Sequence, residues 1–368
     1  MIKAYKFRAY PNKEQQLLFT KTFGCVRFVY NYYLNKKIEL YKCSKENLSF
    51  NKCSADLTQL KNKIIWLKEV DKWALQNSLK HLDNAYSKFF KEHRGFPNFK
   101  SKKSNKYSYT TTFSHNNIKY NNKKIRLPKV GWVTVKDKQV PQGRILNATI
   151  SLSPSGKYYI SLCCTDIDIQ SYNNTDCVIG LDLGIKDFCI TSNGDKIRNP
   201  KYLKKSLDKL AKLQRELSRK TRGSSNWNKA RIKVAKAYEK VSNQRKDFLQ
   251  KTSTQFIKEN SIICIEDLQV INMVKNHSFA QAISDVSWAE FVRQLEYKAG
   301  WHNRRVIRVN QFFASSQTCN VCGYINKGTK NLSVREWDCP CCKTHHDRDV
   351  NASINIMKEG LKTLYNVA

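Results

Sequence analysis

Residues 177–184 read CVIGLDLG, an apolar run that ends in Asp182 and a glycine. Such a run is typical of a buried strand. Residues 188–191, with the turn sequence SNG at 192–194, predict a second strand paired with it as a hairpin. A carboxylate inside an apolar strand is costly unless it is paired or binds a metal ion. Asp182 is therefore a candidate functional residue, and the ordinary alternative is that it only satisfies a turn.

Two later stretches place carboxylates in comparable positions. Residues 261–265 (SIICI) predict another buried strand, which ends in Glu266, and Asp349 stands at the start of a predicted helix. Mg²⁺ is a hard cation that prefers oxygen ligands, and two such ions about 4 Å apart can stabilise the attacking and leaving oxygens of a phosphodiester. Asp182, Glu266 and Asp349 therefore predict a site for two Mg²⁺ ions, with Mn²⁺ as an alternative.

Four cysteines form two metal-type pairs late in the chain. The pairs CNVC at 319–322 and CPCC at 339–342 are separated by 16 residues, which falls inside the spacing of zinc ribbons. The predicted ligands of one Zn²⁺ are Cys319, Cys322, Cys339 and Cys342. Four thiolates leave no open coordination position, so the predicted role of this zinc is structural. Cys341 is a spare thiol, and His345 and His346 are alternative donors for one ligand position.

Composition restricts the class of protein. The chain has 368 residues, which corresponds to two or three domains of about 150 residues. It carries 66 Lys and Arg against 30 Asp and Glu, a net charge of +36, so we expect a polyanionic partner, either nucleic acid or an anionic membrane. No apolar run reaches the ~18–20 residues of a membrane span, and the charged first residues do not resemble a secretion signal. Thirteen cysteines, an odd number, fit a reducing cytoplasm.

The N-terminal half predicts a helical unit inserted into a β domain. Apolar residues at helical spacing predict helices over 12–37 and 71–91, and Gly24 either interrupts the first or allows close packing. Short strands, which suggest a small barrel or sandwich, are predicted at 2–9, 125–127, 132–135, 148–152 and 158–162. Residues 93–109 interleave cationic with aromatic side chains, which suits nucleic acid. A solvated basic loop with core-directed rings fits that segment equally well.

The C-terminal half alternates predicted strands with basic helices. Residues 200–253 predict two helices whose outer faces are dense in Lys and Arg. A solvated face is the usual interpretation of helix charges, but here the excess has one sign, which favours phosphate contact. Residues 271–285 predict a loop, 286–303 a helix and 304–309 a strand.

Several of these motifs resemble the TnpB family. Its members are OrfB-type proteins of insertion-sequence transposons, RNA-guided DNA endonucleases with a RuvC domain and relatives of type V CRISPR effectors. The similar segments, which span nearly the whole chain, are KFR at 6–8 with Pro11, GCVR at 24–27 with Asn31, GLDLG at 180–184, IEDL at 265–268, WAEF at 288–291, QLEY at 294–297, SQTCNVCGY at 316–324, REW at 335–337 and HDRDVNA at 346–352. The CPCC pair departs from the family, which often has glycine where Lys343 stands.

The resemblance implies a multidomain α+β fold. A β-barrel wedge domain would be interrupted by a helical recognition domain, and an RNase H-like (RuvC) α/β domain would contain a zinc ribbon that binds target nucleic acid. The implied boundaries are 1–10 and 105–168 for the wedge, 11–104 for the recognition domain, 175–315 and 345–368 for the RuvC domain and 316–344 for the ribbon. The resemblance also implies that Asp182, Glu266 and Asp349 are both catalytic and Mg²⁺-binding.

The resemblance further implies a function and its partners. The protein would cleave double-stranded DNA next to a short flanking motif, guided by an omega RNA transcribed from the transposon end. We expect it to act as a monomer on this RNA, in the cytoplasm, associated with the nucleoid through DNA and RNA. Two alternatives are a nuclease-silent RNA-guided DNA-binding regulator and a transposase or transposition accessory protein. Since Asp182, Glu266 and Asp349 are all present, the sequence favours the nuclease.

Overall fold

The computed structural model describes residues 1–104, 107–136, 139–173, 175–273, 275, 277–331 and 333–366. The chain forms two compact units, Met1–Asp168 and Ile169–Ala368, and both mix helices with strands. In this described part, no helix combines the length and the apolarity that a bilayer crossing requires.

The first unit is built on a seven-stranded antiparallel sheet. Its strands are β1 (Lys3–Tyr10), β2 (Tyr107–Thr112), β3 (Lys119–Asn121), β4 (Lys124–Leu127), β5 (Gly131–Lys136), β6 (Arg144–Leu152) and β7 (Tyr158–Thr165). The order β2-β6-β7-β1-β5-β4-β3 places the first strand in the middle of the sheet. The alternation along β1 buries Tyr5, Phe7 and Ala9 on one face. The predicted hairpin is confirmed, since β6 and β7 align Leu152 with Tyr158.

Three helices connect β1 to β2. They are α1 (Lys13–Ser44), α2 (Phe50–Lys63) and α3 (Lys72–Lys91). α1 begins with a capping box between Asn12 and Gln15. It packs Phe19 against the rings of Tyr109 and Tyr158 on the sheet, with centroid distances of 6.3 and 5.7 Å. The helical segment is therefore inserted between two strands of one sheet.

The second unit contains a five-stranded mixed sheet. Its strands are β8 (Val178–Leu183), β9 (Asp187–Thr191), β10 (Lys196–Arg198), β11 (Ile262–Glu266) and β12 (Arg305–Val309). The order is β10-β9-β8-β11-β12. The first three strands are antiparallel neighbours, whereas β11 runs parallel to both β8 and β12. A separate two-stranded ribbon pairs β13 (Glu336–Asp338) with β14 (His345–Asp347).

Helices cover both faces of this sheet. They are α4 (Leu207–Ser218), α5 (Ser225–Glu259), α6 (Val270–Met273), α7 (His277–Val286), α8 (Trp288–Trp301) and α9 (Arg348–Asn366). On one face, Leu181 and Ile265 join a core with Phe256 of α5 and Phe291 of α8. On the other face, Ile356 of α9 packs with residues of β11 and β12.

α9 lies directly on the sheet because two glycines leave room for it. A Cβ atom at Gly180 of β8 would collide with Ser353 and lie 2.8 Å from the Cβ of Met357. Conversely, a Cβ atom at Gly360 of α9 would lie 2.5 Å from the Sγ of Cys264. The helix axis therefore passes over β8 and β11 at close approach.

Two sequence predictions of local structure are wrong. The loop predicted at 271–285 is largely α7, which forms because Ile283 and Val286 are buried in the core. The helix predicted over 12–37 continues to Ser44, and Gly24 does not interrupt it. Gly24 is also not a close-packing position, since a Cβ atom there would meet nothing within 4 Å.

Candidate active site

Asp182 and Glu266 lie side by side at the carboxyl ends of two neighbouring strands. β8 and β11 are parallel, and Leu181 opposite Ile265 is their last registered pair. Each acid is the next residue along its strand. Because neighbouring strands lie about 4.8 Å apart, this register brings the two carboxylates to one level of the sheet, where both residues are partly buried.

α9 delivers the third acid to the same edge. Side chains alternate between the two faces of a strand, so Asp182 points to the face of Gly180 and Glu266 to the face of Cys264. That is the face on which α9 packs, because its residues approach both Gly180 and Cys264. Asp349 lies in the first turn of α9. The three acids that the sequence singled out therefore lie at one edge of the sheet, on the face that α9 covers.

Asp347 fixes the start of α9. Its Oδ1 accepts hydrogen bonds from the backbone N–H groups of Asp349 and Val350, at 3.0 and 3.1 Å. Its Oδ2 forms an ion pair with Lys196 of β10 at 2.5 Å. Partial burial opposes ionisation of Asp347, but Lys196 and the amides outweigh it and hold the pKa of this carboxyl below its usual range. Asp347 therefore connects the first turn of α9, which contains Asp349, to β10 of the sheet.

The three acids interact electrostatically. The pKa of Asp182 is raised to about 7, first by burial and then by the negative charges of Asp349 and Glu266, while Arg348 acts in the opposite direction. Burial also raises the pKa of Glu266. Crowded carboxylates are stabilised when a cation binds among them. An all-oxygen donor set of three carboxylates fits Mg²⁺ or Mn²⁺.

Two arginines beside the acids received no role from the sequence. Arg335 places its Nη1 3.2 Å from the Oδ2 of Asp349, and its backbone oxygen accepts a 2.8 Å hydrogen bond from the N–H of Arg348. Arg348 is buried, and its Nε and Nη1 have no hydrogen-bond partner among the described residues. Adjacency to Asp349 was a usable signal for Arg348. Arg335 reaches the acid only because the ribbon folds back, which no local pattern reveals.

The four predicted zinc ligands lie together. The Sγ atoms of Cys319, Cys322, Cys339 and Cys342 all lie within 4.8 Å of one another. Cys319 and Cys342 are 3.6 Å apart, and Cys322 and Cys339 are 3.5 Å apart. A tetrahedral Zn²⁺ with about 2.3 Å bonds to sulfur separates its ligands by about 3.8 Å. These four thiols therefore fit one zinc ion without a large movement.

The three other candidate donors near this cluster differ in their surroundings. Cys341 is exposed, and the Nδ1 of His345 lies 2.8 Å from the Oδ1 of Asp338. His346 contacts a ligand, because its Nε2 lies 3.0 Å from the Sγ of Cys319.

The residue after each cysteine pair adopts left-handed backbone geometry. Gly323 has φ +80°, and Lys343, which stands where the family often has glycine, has φ +61°. Both pairs close with the same hydrogen bond, from the N–H of Gly323 to Cys319 O and from the N–H of Lys343 to Cys339 O, each at 2.9 Å. Lysine therefore supports the turn that the departure from the family pattern put in question.

Known proteins are similar in sequence to this chain over nearly its whole length. A protein of Streptomyces pristinaespiralis named "Putative RNA-guided DNA endonuclease" is 37% identical over 368 residues, which cover 98% of this chain and 89% of that protein. This chain belongs to the TnpB family. "Putative RNA-guided DNA endonuclease InsQ" of Escherichia coli K12 is 31% identical, with 98% of this chain and 92% of that protein covered.

Family models and a solved structure extend the comparison. The OrfB_IS605 model, described as "Probable transposase", matches residues 161–277, and "Cas12f1-like, TNB domain" matches 288–356. A "Helix-turn-helix domain" model matches residues 1–46, where this TnpB-family chain forms β1 and the uninterrupted α1. The structure titled "Cryo-EM structure of the Cas12f1-sgRNA-target DNA complex" aligns with a TM-score of 0.52 at 14% identity. It covers 97% of this chain and 98% of that one, a likeness of fold.

Proposed function

We propose that this protein is an RNA-guided DNA endonuclease that hydrolyses phosphodiester bonds at Asp182, Glu266 and Asp349. The observation that carries the proposal is the meeting of these acids at the ends of β8 and β11 and the start of α9. Burial, and then repulsion from Asp349 and Glu266, raises the pKa of Asp182, and bound cations would relieve that repulsion. Two Mg²⁺ ions, or Mn²⁺ in their place, would supply Lewis acids that activate water and stabilise the leaving oxygen.

The protein's own residues have different roles at this site. Asp182 and Glu266 hold their positions on a rigid sheet, and Asp349 is held by the cap of α9. Arg335 and Arg348 add positive charge at the same place, where a negatively charged phosphate must enter. Since Arg335 is half exposed and pairs with Asp349, we expect it to exchange that carboxylate for the DNA phosphate when the acids hold cations.

The surface charge supports nucleic-acid partners. Exposed cations lie on α4, on α5, in the turn between them and in the segment just before α4, at Arg215, Lys229, Arg219, Lys220, Arg222, Lys204 and Lys205. A net charge of +36 would disfavour the compact chain alone and is neutralised by phosphates. The names of the two relatives describe RNA-guided DNA endonucleases. We therefore propose an omega RNA from the transposon end and double-stranded target DNA as partners of a monomeric chain.

The basic segment at 93–109 is a further candidate nucleic-acid surface. Phe99 is 54% exposed, so its ring is available for stacking, whereas Phe96 packs against Tyr86 and Phe89 of α3 with centroid distances of 5.6 and 5.4 Å. Asn31 of α1 holds the segment through two hydrogen bonds to the backbone of Lys100, at 2.8 and 2.9 Å. Residues 105 and 106 lie outside the described residues.

The same proposal extends to domain roles. We propose a wedge domain at 1–10 and 105–168 with a recognition domain inserted at 11–104. The position of α1, α2 and α3 between β1 and β2 supports this division. We propose an RNase H-like RuvC domain at 175–315 and 345–368, which the parallel strands β11 and β12 beside the β8–β9 hairpin support. The ribbon at 316–344 would hold one structural zinc and contact target DNA.

A cleavage assay tests this function. The chain is purified with RNA transcribed from its own locus and given a plasmid library carrying the guide-matched target beside randomised flanks, with Mg²⁺. We expect linear product that requires RNA, target and Mg²⁺, and loss of at least about 10³-fold in rate for Asp182→Asn, as for other groups that act in the transition state. Asp267→Asn is the matched control, because Asp267 adjoins Glu266 but pairs with Arg308 at 2.8 Å.

The assay separates the three candidate functions. RNA-dependent target binding without cleavage would identify a silent regulator, and joined rather than hydrolysed products would identify a transposase. Equal cleavage by the wild type and Asp182→Asn would refute the proposed site.

A further inference from the structure

The first cysteine pair is fastened to α9, the helix that carries Asp349. Asn351 Nδ2 donates a 2.8 Å hydrogen bond to the backbone oxygen of Thr318, and Asn351 Oδ1 accepts a 2.9 Å bond from the N–H of Asn320. These two backbone groups flank Cys319. Asn351 is only 1% exposed. A buried amide that satisfies both flanks of a metal ligand fixes the position of that ligand relative to the helix.

A second buried amide repeats this contact one turn further along α9. Asn355 Nδ2 donates to the backbone oxygens of Ser315 and Thr318, at 2.8 and 2.6 Å, and Asn355 is 5% exposed. Residues at positions i and i+4 lie on the same face of a helix. The face of α9 that contains Asn351 and Asn355 therefore carries the first cysteine pair.

His346 makes the third contact, this time with the ligand atom itself. Its Nε2 lies 3.0 Å from the Sγ of Cys319, and its ring packs against Trp337 with centroids 4.7 Å apart. A zinc-bound sulfur is a thiolate and has no proton to donate, so in the loaded state the N–H must belong to His346. Such hydrogen bonds to a metal ligand orient it and change its basicity.

The contacts from His346 and Asn351 bracket Asp349 in sequence. His346 is three residues before Asp349, Asn351 is two residues after it, and the Asp347 cap lies between. Any displacement of Cys319 is therefore transmitted to the backbone on both sides of the acid. Loss of the metal would release the four thiols, and the first turn of α9 would lose the anchor that the ribbon provides.

We propose that His346 and Asn351 are positioning residues that couple occupancy of the four-cysteine site to the geometry of Asp349. The inference rests on the proposed function, since it takes the three acids as a divalent-cation site. Coupling between two binding sites is reciprocal. Zinc in the ribbon should therefore tighten binding of Mn²⁺ at the acids, and Mn²⁺ at the acids should slow loss of zinc.

The test uses the full chain and compares three variants with the wild type. His346→Phe keeps an aromatic ring against Trp337 but removes the N–H, and His346→Gln restores a donor. His345→Phe is the matched control, because His345 is the preceding residue but points to Asp338. Co²⁺ is loaded in place of zinc, because it gives a thiolate-to-metal absorption band that reports on the four-cysteine site. Zinc affinity is measured by chelator competition. Mn²⁺ binding at the acids is measured by electron paramagnetic resonance. The Asp182→Asn variant lacks one carboxylate of the acid site, so it measures the Mn²⁺ binding that does not depend on this site.

We expect His346→Phe to shift the Co²⁺ band, to weaken zinc binding at least 10-fold, as for other outer-sphere partners, and to weaken Mn²⁺ binding about 3- to 10-fold. His346→Gln should recover most of both losses, and His345→Phe should match the wild type. If Mn²⁺ binding is unchanged in His346→Phe while zinc binding falls, the coupling is wrong although the acid site stands. If wild-type Mn²⁺ binding equals that of Asp182→Asn, the acid site itself is wrong.

Removal of zinc from the wild type covers the case in which His346→Phe does not fold. Hydrogen exchange is then followed at the amides of residues 347–353 with the ribbon loaded and stripped. Faster exchange on stripping, at least about 10-fold, supports the coupling. Equal exchange in this turn, with faster exchange only at 319–342, overturns it.

Discussion

Asp182 is a residue whose burial opposes folding and whose proposed role is to bind cations in the active site. It stands in an apolar strand, and burial together with Asp349 and Glu266 raises its pKa to about 7. The sequence already indicated this conflict, because a carboxylate in the apolar run CVIGLDLG is costly unless it is paired or binds a cation. It could not reveal Arg335, whose contact with Asp349 depends on how a distant ribbon closes.

The raised pKa of Asp182 predicts a pH-dependent stability. An unfolded aspartate ionises near pH 4, so between about pH 4 and 7 the folded metal-free chain holds a proton that the unfolded chain has lost. The proton on Asp182 therefore favours the folded state. Its full contribution to the free energy of unfolding is present below about pH 4 and falls as the pH rises through 7. Asp182→Asn should therefore be more stable than the wild type at pH 8 in chelator, by roughly 2 kcal/mol, and the difference should shrink towards pH 4.

Thermal unfolding from pH 4 to 8 measures this difference. Asp267→Asn serves as the control, since Asp267 is paired with Arg308 at the surface. A constant gap between Asp182→Asn and the wild type at every pH would contradict the assignment.

At the scale of elements, the close approach of α9 to β8 determines whether the acids meet. Gly180 permits it, since a Cβ atom there would lie 2.8 Å from Met357 Cβ and 2.9 Å from Met357 N. A clash with helix backbone cannot be relieved by a side-chain rotation. The same contact explains why this strand has a glycine two residues before its acid.

Gly180→Ala should therefore displace α9. We expect a loss of about 3 kcal/mol in the free energy of unfolding and weaker Mn²⁺ binding at the acids. Gly300→Ala is the control, because nothing lies within 4 Å of the Cβ atom that alanine would add to this glycine of α8. Urea unfolding with parallel Mn²⁺ titration measures both effects, and an unchanged Gly180→Ala would contradict the packing.

Gly24 in α1 presents the opposite case. It lies inside a 32-residue helix and nothing within 4 Å would touch a Cβ atom there. Alanine is favoured over glycine inside a helix by about 1 kcal/mol, so Gly24→Ala should stabilise the free chain by about that amount. Lower stability in urea unfolding would contradict this. Weaker RNA binding together with higher stability would show that Gly24 serves an approaching ligand.

Patterns of apolar residues predicted most helices and strands, and the failures have physical causes. α7 was not predicted because polar residues interrupt its apolar ones, although Ile283 and Val286 are spaced by three residues and both are buried in the core. The last turns of α1 are mostly exposed, and the prediction ended at residue 37 although Leu34, Ile38 and Tyr41 continue the helical spacing. The spacing of the cysteine pairs identified a common cluster, but not the contact of His346 with Cys319.

At the scale of the whole molecule, an excess of 36 positive charges dominates long-range interactions. Contacts between cations and phosphates release counterions, so affinity falls steeply with salt. The exposed cations of α4, α5 and the turn between them are candidates for such contacts.

The double variant Arg219→Gln and Arg222→Gln tests this surface. If each side chain contacts one phosphate of the omega RNA, the slope of log affinity against log salt should become shallower by about 2. Filter binding at about 50 to 300 mM salt measures the slope. Lys251→Gln on α5 should leave it unchanged, because Lys251 already pairs with Asp247 at 2.7 Å. Identical slopes for the double variant and the wild type would exclude this surface.

The most direct test of the account is the location of Mn²⁺ in the protein bound to its RNA and target. Anomalous scattering from Mn²⁺-soaked crystals should give a peak, or two peaks about 4 Å apart, bounded by oxygens of Asp182, Glu266 and Asp349. The Asp182→Asn variant should lose or weaken that density. Manganese bound elsewhere, with none among these three carboxylates, would contradict the account.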